Sequence, residues 1–198
     1  MKLYEQTPYL KAVVEQTGYL DLRSLLFLHN LVEQVKPECV IELGTGYGCS
    51  AIFMALGGAK SVVSVDDYRG DTSLNIDVTK INIEKCNVCN QVTLLKGDSR
   101  DKLVIKDLAE MCFMDASHNP EDLCKELGSL KTNLSANHVL VIDDIFSIHL
   151  DTFSFDLLRQ GYQALHVFPF HNGVAVLNTN EVLYGCKISK AAEAVLSV

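Results

Sequence analysis

The chain has 198 residues, is 48% hydrophobic and carries a formal charge of -8. That length buries one sizeable core but not two comfortable ones, and an acidic balance without a basic stripe excludes a nucleic-acid backbone as partner. Membranes are excluded too: the apolar run at Val139–Ile142 ends in Asp143 and Asp144, and the opening MKLYEQTPYLKAVVEQ has no signal-like apolar core, so the expected compartment is the cytoplasm.

Residues 7–16 and 21–35 carry apolar side chains at helical spacing, and Lys36-Pro37 closes the second stretch. Short β-branched or apolar runs follow at Cys39–Leu43, Ser61–Val65, Gln91–Leu95, Met111–Met114 and Val139–Ile142. Each is apolar on both faces, as strands of a buried parallel sheet are. Helical patterns lie between them at Ser50–Leu56, Ser73–Cys86, Ser99–Leu108 and Glu121–Leu134. A further helix is expected near Asp151–Gln160. Tyr162–Phe168 and Gly173–Leu177 then flank a turn and form a hairpin, so one of that pair runs antiparallel. Residues 181–198 form a last strand or helix.

This alternation predicts an α/β fold: a Rossmann-like, doubly wound, mostly parallel seven-stranded sheet with an antiparallel C-terminal hairpin. Residues 1–198 read as a single domain, with N-terminal helices over 1–36 and the core over 37–180. An exposed hairpin edge or the apolar tail would support a homodimer. The seven cysteines are odd in number and lie mainly in apolar segments, which suits reduced thiols. Cys86 and Cys89 have CxxC spacing, but no second pair accompanies them, and they read as ordinary thiols. His29 reads as a helix-packing residue.

VIELGTGYGCSAIFMA, Val40–Ala55, puts Gly44, Gly46 and Gly48 where the first strand turns into its helix. Ligands bind at that position in open α/β sheets. A dinucleotide fingerprint needs glycine at position 49, where this chain has Cys49, and Glu42 would repel a pyrophosphate. A cationic ligand without phosphate fits better.

E-x-G-x-G-x-G resembles motif I of the class I S-adenosylmethionine-dependent methyltransferases. That resemblance extends from Glu38 onwards. It implies S-adenosylmethionine contacts at Glu42, Gly44, Gly46, Gly48 and Ser50. It also implies ribose contacts at Asp66, with Asp67 beside it in VVSVDDYRGD, and adenine-side contacts at Asp98 and Ser99 in LLKGDSRD, with Asp115 at the methyl end. Singly, Asp66 is also compatible with a strand-end turn, Gly97 with a plain turn and Asp98 with a helix N-cap.

CFMDASH and LVIDDIF put Asp115, Asp143 and Asp144 at adjacent strand ends. Three carboxylates together raise one another's pKa unless a cation is present, and oxygen-rich sites suit Mg²⁺ or Ca²⁺. The arrangement resembles the metal-dependent O-methyltransferases, of the catechol type and of the branch that modifies sugars and natural products. VDDYRGD is similar to a segment of that branch usually written with tryptophan where Tyr68 stands, and D-x-x-H to Asp115 through His118. The resemblance implies a divalent metal, Mg²⁺ first, on Asp115, Asp143 and Asp144, with His118 as base. Catechol-type enzymes often have asparagine where this chain has Asp144. Asp143-Asp144 as a loop cap and His118 as a helix-start residue ahead of Pro120 stay open.

The expected activity is methyl transfer from S-adenosylmethionine to a hydroxyl oxygen of a small molecule. Tyr19, Tyr68, Phe146, His149, Phe153 and Phe155 are candidates to line the acceptor pocket. A non-catalytic cofactor-binding or scaffolding protein of the same fold is the rival reading. A nicotinamide-dependent oxidoreductase is disfavoured by Cys49.

Overall fold

The computed structural model describes residues 8–17, 20–69, 75–147, 161–170 and 172–196. Helix α1 (Pro8–Thr17) and helix α2 (Leu22–Val35) lead into β1 (Cys39–Leu43) and α3 (Cys49–Leu56). Then come β2 (Ser61–Asp66), α4 (Ile76–Lys85), β3 (Val92–Lys96), β4 (Ala109–Met114), α5 (Pro120–Leu130) and β5 (Leu134–Ile142). The chain ends in β6 (Ala164–Phe168), β7 (Val174–Asn178) and α6 (Glu181–Leu196).

Helix starts are set by short polar side chains. Asp21, Asn75 and Asn119 accept hydrogen bonds from first-turn amides of α2, α4 and α5, and Pro120 follows Asn119 where no amide donor is needed. The strands form one seven-stranded sheet in the order β3-β2-β1-β4-β5-β7-β6. The four pairings β3-β2, β2-β1, β1-β4 and β4-β5 are parallel, while β7 runs antiparallel to both β5 and β6. The doubly wound, mostly parallel sheet with its C-terminal antiparallel pair is therefore as expected.

β1 alternates between two apolar layers: Val40 packs with α1, α2, α3 and α6, and Ile41 and Leu43 pack with Leu123, Leu127 and Leu130 of α5. Chain order reverses between the neighbours β1 and β4, which opens a crevice beyond their carboxyl ends. Among the described residues no helix is long and apolar enough to cross a membrane.

The expected helix over Ser99–Leu108 is absent. Asp101 N–H bonds Asp98 C=O in a turn, Ser99 Oγ donates to Glu126 Oε1 at 2.6 Å, and Ser99 C=O accepts from Ser129 Oγ at 2.8 Å. Capture by α5 takes the groups a first helical turn would use, and Val104 and Leu108 are left exposed. The helix expected to reach Leu134 stops at Leu130, and Leu134 opens β5 opposite Ala109, beside a register shift. The C-terminal segment is helical. The helix expected at 151–160, Ser73, and the pocket candidates Tyr19, His149, Phe153 and Phe155 lie outside the described residues.

Candidate active site

The glycine loop is held from two sides. Asp66 Oδ2 accepts Thr45 N–H at 2.8 Å and Gly46 N–H at 2.9 Å, and its Oδ1 accepts Tyr68 N–H at 2.6 Å. From α4, Thr79 Oγ1 donates to Gly46 C=O at 2.8 Å and Asn82 Nδ2 to Tyr47 C=O at 2.9 Å. Gly44 has φ of +91°, and a Cβ there would sit 2.5 Å from Asp115 C=O, so β1 can approach β4 this closely only through glycine. Gly46, φ +51°, has no described residue within 4 Å of where its Cβ would be. Gly48 caps α3 instead.

Glu42 is fully buried and does not reach the cavity. Its two oxygens accept the hydroxyls of Ser50 and Ser64, and Ser64 shares a further 2.6 Å hydrogen bond with Thr45. It thus fixes the loop from behind. Burial pushes its carboxyl up to about 8, against the opposing effect of the two serines. Between the ordinary carboxylate range and pH 8 the folded chain keeps a proton that the unfolded chain has released, so stability falls as pH rises through that window. Glu42→Gln is expected to flatten the fall, measured as urea midpoints from pH 5 to 9 on ligand-free protein. Asp143, also pushed up to about 8, contributes in the same direction and leaves a residual slope. An unchanged slope in the variant would remove Glu42 as its source.

A cavity of about 490 Å³ opens over the ends of β1, β2 and β4. Of the expected site residues, Gly44, Gly46, Ser50, Asp66, Asp67, Asp98, Ser99, Asp115, His118 and Asp144 line it, whereas Glu42, Gly48 and Asp143 do not. Leu20, Thr45, Tyr47, Arg100 and Ser117 join them. Asp98 is gripped by Arg100, with Nε to Oδ1 at 2.8 Å and Nη2 to Oδ2 at 2.6 Å, which holds its carboxyl well below the usual range. Even so, carboxylates dominate the wall, an electrostatic match for a cation and a mismatch for a dinucleotide.

At the opposite end Asp115 leaves β4, its N–H bonded to Leu43 C=O at 2.8 Å, and Asp144 follows β5 with φ of +54°. His118 Nε2 lies 3.2 Å from Asp144 Oδ2 and 3.6 Å from Asp115 Oδ1. The Asp115 carboxylate raises the imidazole above its ordinary value, against the effect of burial. One ligand atom from each of Asp115, His118 and Asp144 lies within 4.8 Å of the others, close enough for one ion to touch all three. Asp143 is only 3% exposed, and its buried Oδ1 has no hydrogen-bond partner among the described residues. Of the expected carboxylate trio, the structure thus draws Asp115 and Asp144 together with His118, and sets Asp143 behind them.

Thr79 and Asn82 were not legible as loop-binding residues. Their one signal was polar chemistry at i, i+3 on a helix face that also carries the buried Ile83.

Residues 19–161 match the family model described as Rhamnosyl O-methyltransferase/CmcI. The Rhamnosyl O-methyltransferase of Mycobacterium tuberculosis is 25% identical over 125 residues, which is 58% of this chain and 48% of that protein. The Ribosomal protein L11 methyltransferase of Alkaliphilus oremlandii is 24% identical over 143 residues, 72% of this chain and 43% of that protein. The chain therefore spans about half the length of the curated relatives it matches. In fold it is similar to the O-methyltransferase from Bacillus cereus, solved in complex with S-adenosylhomocysteine, with a TM-score of 0.67 at 16% identity over 91% of each chain. The glycine loop, the acid-lined cavity and the paired strand-end carboxylates all fall within the matched 143-residue stretch, 19–161, and the chain belongs to the Rhamnosyl O-methyltransferase/CmcI family.

Proposed function

We propose that this chain is an S-adenosylmethionine-dependent O-methyltransferase acting on a small hydroxylated acceptor, and that residues 1–198 form one catalytic domain. The observation that carries the reading is a single cavity with a glycine loop and Asp66-Asp67 at one end and Asp115, His118 and Asp144 at the other. Bound there, the cofactor would supply a methyl carbon on a sulfonium, which an acceptor oxygen could take through its lone pair with the C–S electron pair left on sulfur.

The acid-rich wall suits that cation. Gly46, with no described residue within 4 Å of its missing Cβ, would let the ligand approach the backbone. Asp66 spends three of its roughly four lone-pair positions on amides. Its remaining position, with Asp67 beside it on the cavity wall, would be left for a ribose diol. At the acceptor end, Asp115 and Asp144 would hold a divalent cation, whose chemistry is to polarise a hydroxyl oxygen. The buried oxygen of Asp143 beside them, without a donor among the described residues, fits that reading, since a buried carboxylate oxygen is costly unless a donor or a cation compensates it. His118 takes the hydroxyl proton at Nε2. The closeness of its Nε2 to both carboxylates favours a second reading, in which the imidazole is itself a ligand. Seven unbridged cysteines suit the cytoplasm.

S-adenosylhomocysteine is expected to raise the melting temperature by binding only the folded state, and NADH is not. Asp66→Ala should shrink the shift, since it frees the Thr45 and Gly46 amides as well as the diol contact. A larger shift with NADH would overturn the cofactor assignment. Turnover is then assayed on a rhamnosyl glycoside and, as the competing acceptor class, on ribosomal protein L11. Tight binding with no methylation of any hydroxylated acceptor would favour the non-catalytic alternative.

A further inference from the structure

Helix α1 lies outside the strand-end machinery, yet its Tyr9 touches a residue that holds the glycine loop. Leu10, Val13 and Val14 pin the helix to the core at i, i+3 and i+4. Tyr9, beside Leu10, points at α4: its hydroxyl donates to Asn82 Oδ1 at 2.5 Å, and Lys85 Nζ stands 4.6 Å over its ring. Asn82 is 6% exposed, and its amide has one oxygen and one NH₂ to place. Tyr47 C=O, 2.9 Å away, can only accept, so the NH₂ must face it and the oxygen must face Tyr9. The Tyr47 carbonyl thus fixes the direction of the relay: turning the amide over would set oxygen against oxygen there and leave the Tyr9 hydroxyl facing a donor.

We infer that Tyr9 and Asn82 are positioning residues that couple the docking of helix α1 to the ligand-binding form of the glycine loop. The inference rests on the cofactor reading above. Tyr47 lines the cavity, and its carbonyl sits between Gly46 and Gly48, both at positive φ. Holding that carbonyl therefore fixes the part of the backbone with the most freedom to rearrange. Leu20, three residues past the end of α1, is 7% exposed and part of the wall of the same cavity. Coupling of this kind is reciprocal: a docked helix favours the ligand, and the ligand favours a docked helix.

The test uses S-adenosylhomocysteine, titration calorimetry and amide hydrogen exchange on wild type, Tyr9→Phe and Asn82→Asp. Losing one buried hydrogen bond from the relay should weaken binding about three- to tenfold in Tyr9→Phe. Asn82→Asp keeps an acceptor for Tyr9 but loses the donor to Tyr47, so it should weaken binding at least as much. The double substitution should cost no more than Asn82→Asp alone, because both act on one chain of bonds. Ligand should slow exchange in α1 of wild type and slow it less in Tyr9→Phe. Thermal unfolding of each variant gives the folded fraction, which a purely structural Tyr9 would lower without changing the dissociation constant. Affinities within twofold of wild type for Tyr9→Phe, with α1 exchange indifferent to ligand, would overturn the relay and leave the cofactor reading intact. A wild type that binds no S-adenosylhomocysteine would overturn both.

Discussion

Alanine in place of His118 is expected to lower turnover by roughly 10² to 10⁴ fold, the range for loss of a positioned base. The side chain is half exposed and, among the described residues, is anchored through Nε2, 3.2 Å from Asp144 and 3.6 Å from Asp115. Its removal therefore creates no core cavity and should cost little stability. As base, the imidazole must be neutral to accept a proton, so the wild-type rate should rise with pH through an ionisation that Asp115 holds above the ordinary histidine value. In His118→Ala that rise should vanish, and a shallower recovery should appear at higher pH, where hydroxide serves instead. Mn²⁺ affinity, read by electron paramagnetic resonance on cofactor-loaded protein, separates the two readings. A change of a few fold keeps His118 as base, whereas a loss of tenfold or more makes it a ligand. Equal turnover of both proteins at every pH would eliminate either role.

The strands were legible because a strand buried on both faces needs no partner information: Cys39–Leu43 is apolar but for Glu42 and buried throughout. β5 is the counterexample, since its first half, Leu134–His138, lies half-exposed beside a register shift and carries no apolar run. The Ser99–Leu108 helix failed for another reason. Its local pattern was helical, and the bonds that defeat it come from Glu126 and Ser129 on α5, nearly thirty residues further along the chain.

The site divides in the same way. Positions of Asp66, Asp115 and Asp144 followed from strand ends, but which way each side chain faces did not. Glu42 alternates with Ile41 and Leu43 on a fully buried strand, so it points into a layer and grips Ser50 and Ser64 rather than a ligand. Asp143 and Asp144 are adjacent in sequence, yet the positive φ of Asp144 turns the chain between a 3% exposed carboxylate and one on the cavity wall. No spacing rule contains that turn.

Gly44→Ala and Gly46→Ala are expected to fail in opposite ways, although the two positions are separated only by Thr45. At Gly44 the new methyl carbon would lie 2.5 Å from Asp115 O, 2.6 Å from Asp115 C and 2.8 Å from Ala116 N, all of them backbone. Neither side can yield easily: Gly44 N–H bonds Val65 C=O at 2.9 Å and Asp115 N–H bonds Leu43 C=O at 2.8 Å, so a shift would unzip the ends of β1, β2 and β4. With the strain of φ at +91° added, the loss should be about 2 to 4 kcal/mol of stability. Displacing Asp115 should also weaken cation and cofactor binding together. At Gly46 none of the described residues lies within 4 Å of the added carbon, so the expected cost to the fold is the left-handed backbone at φ +51°, on the order of 1 kcal/mol. That methyl instead stands in the cavity, where the ligand approaches the backbone, and S-adenosylhomocysteine affinity should fall at least about tenfold, the effect of roughly 1.4 kcal/mol of lost contact. Thermal unfolding and titration calorimetry on the two variants provide both readouts. A Gly46→Ala protein that binds as wild type does would detach the glycine loop from the ligand. A Gly44→Ala protein as stable as wild type would mean that β1 and β4 do not need so close an approach, and that Asp115 is held in place by other contacts.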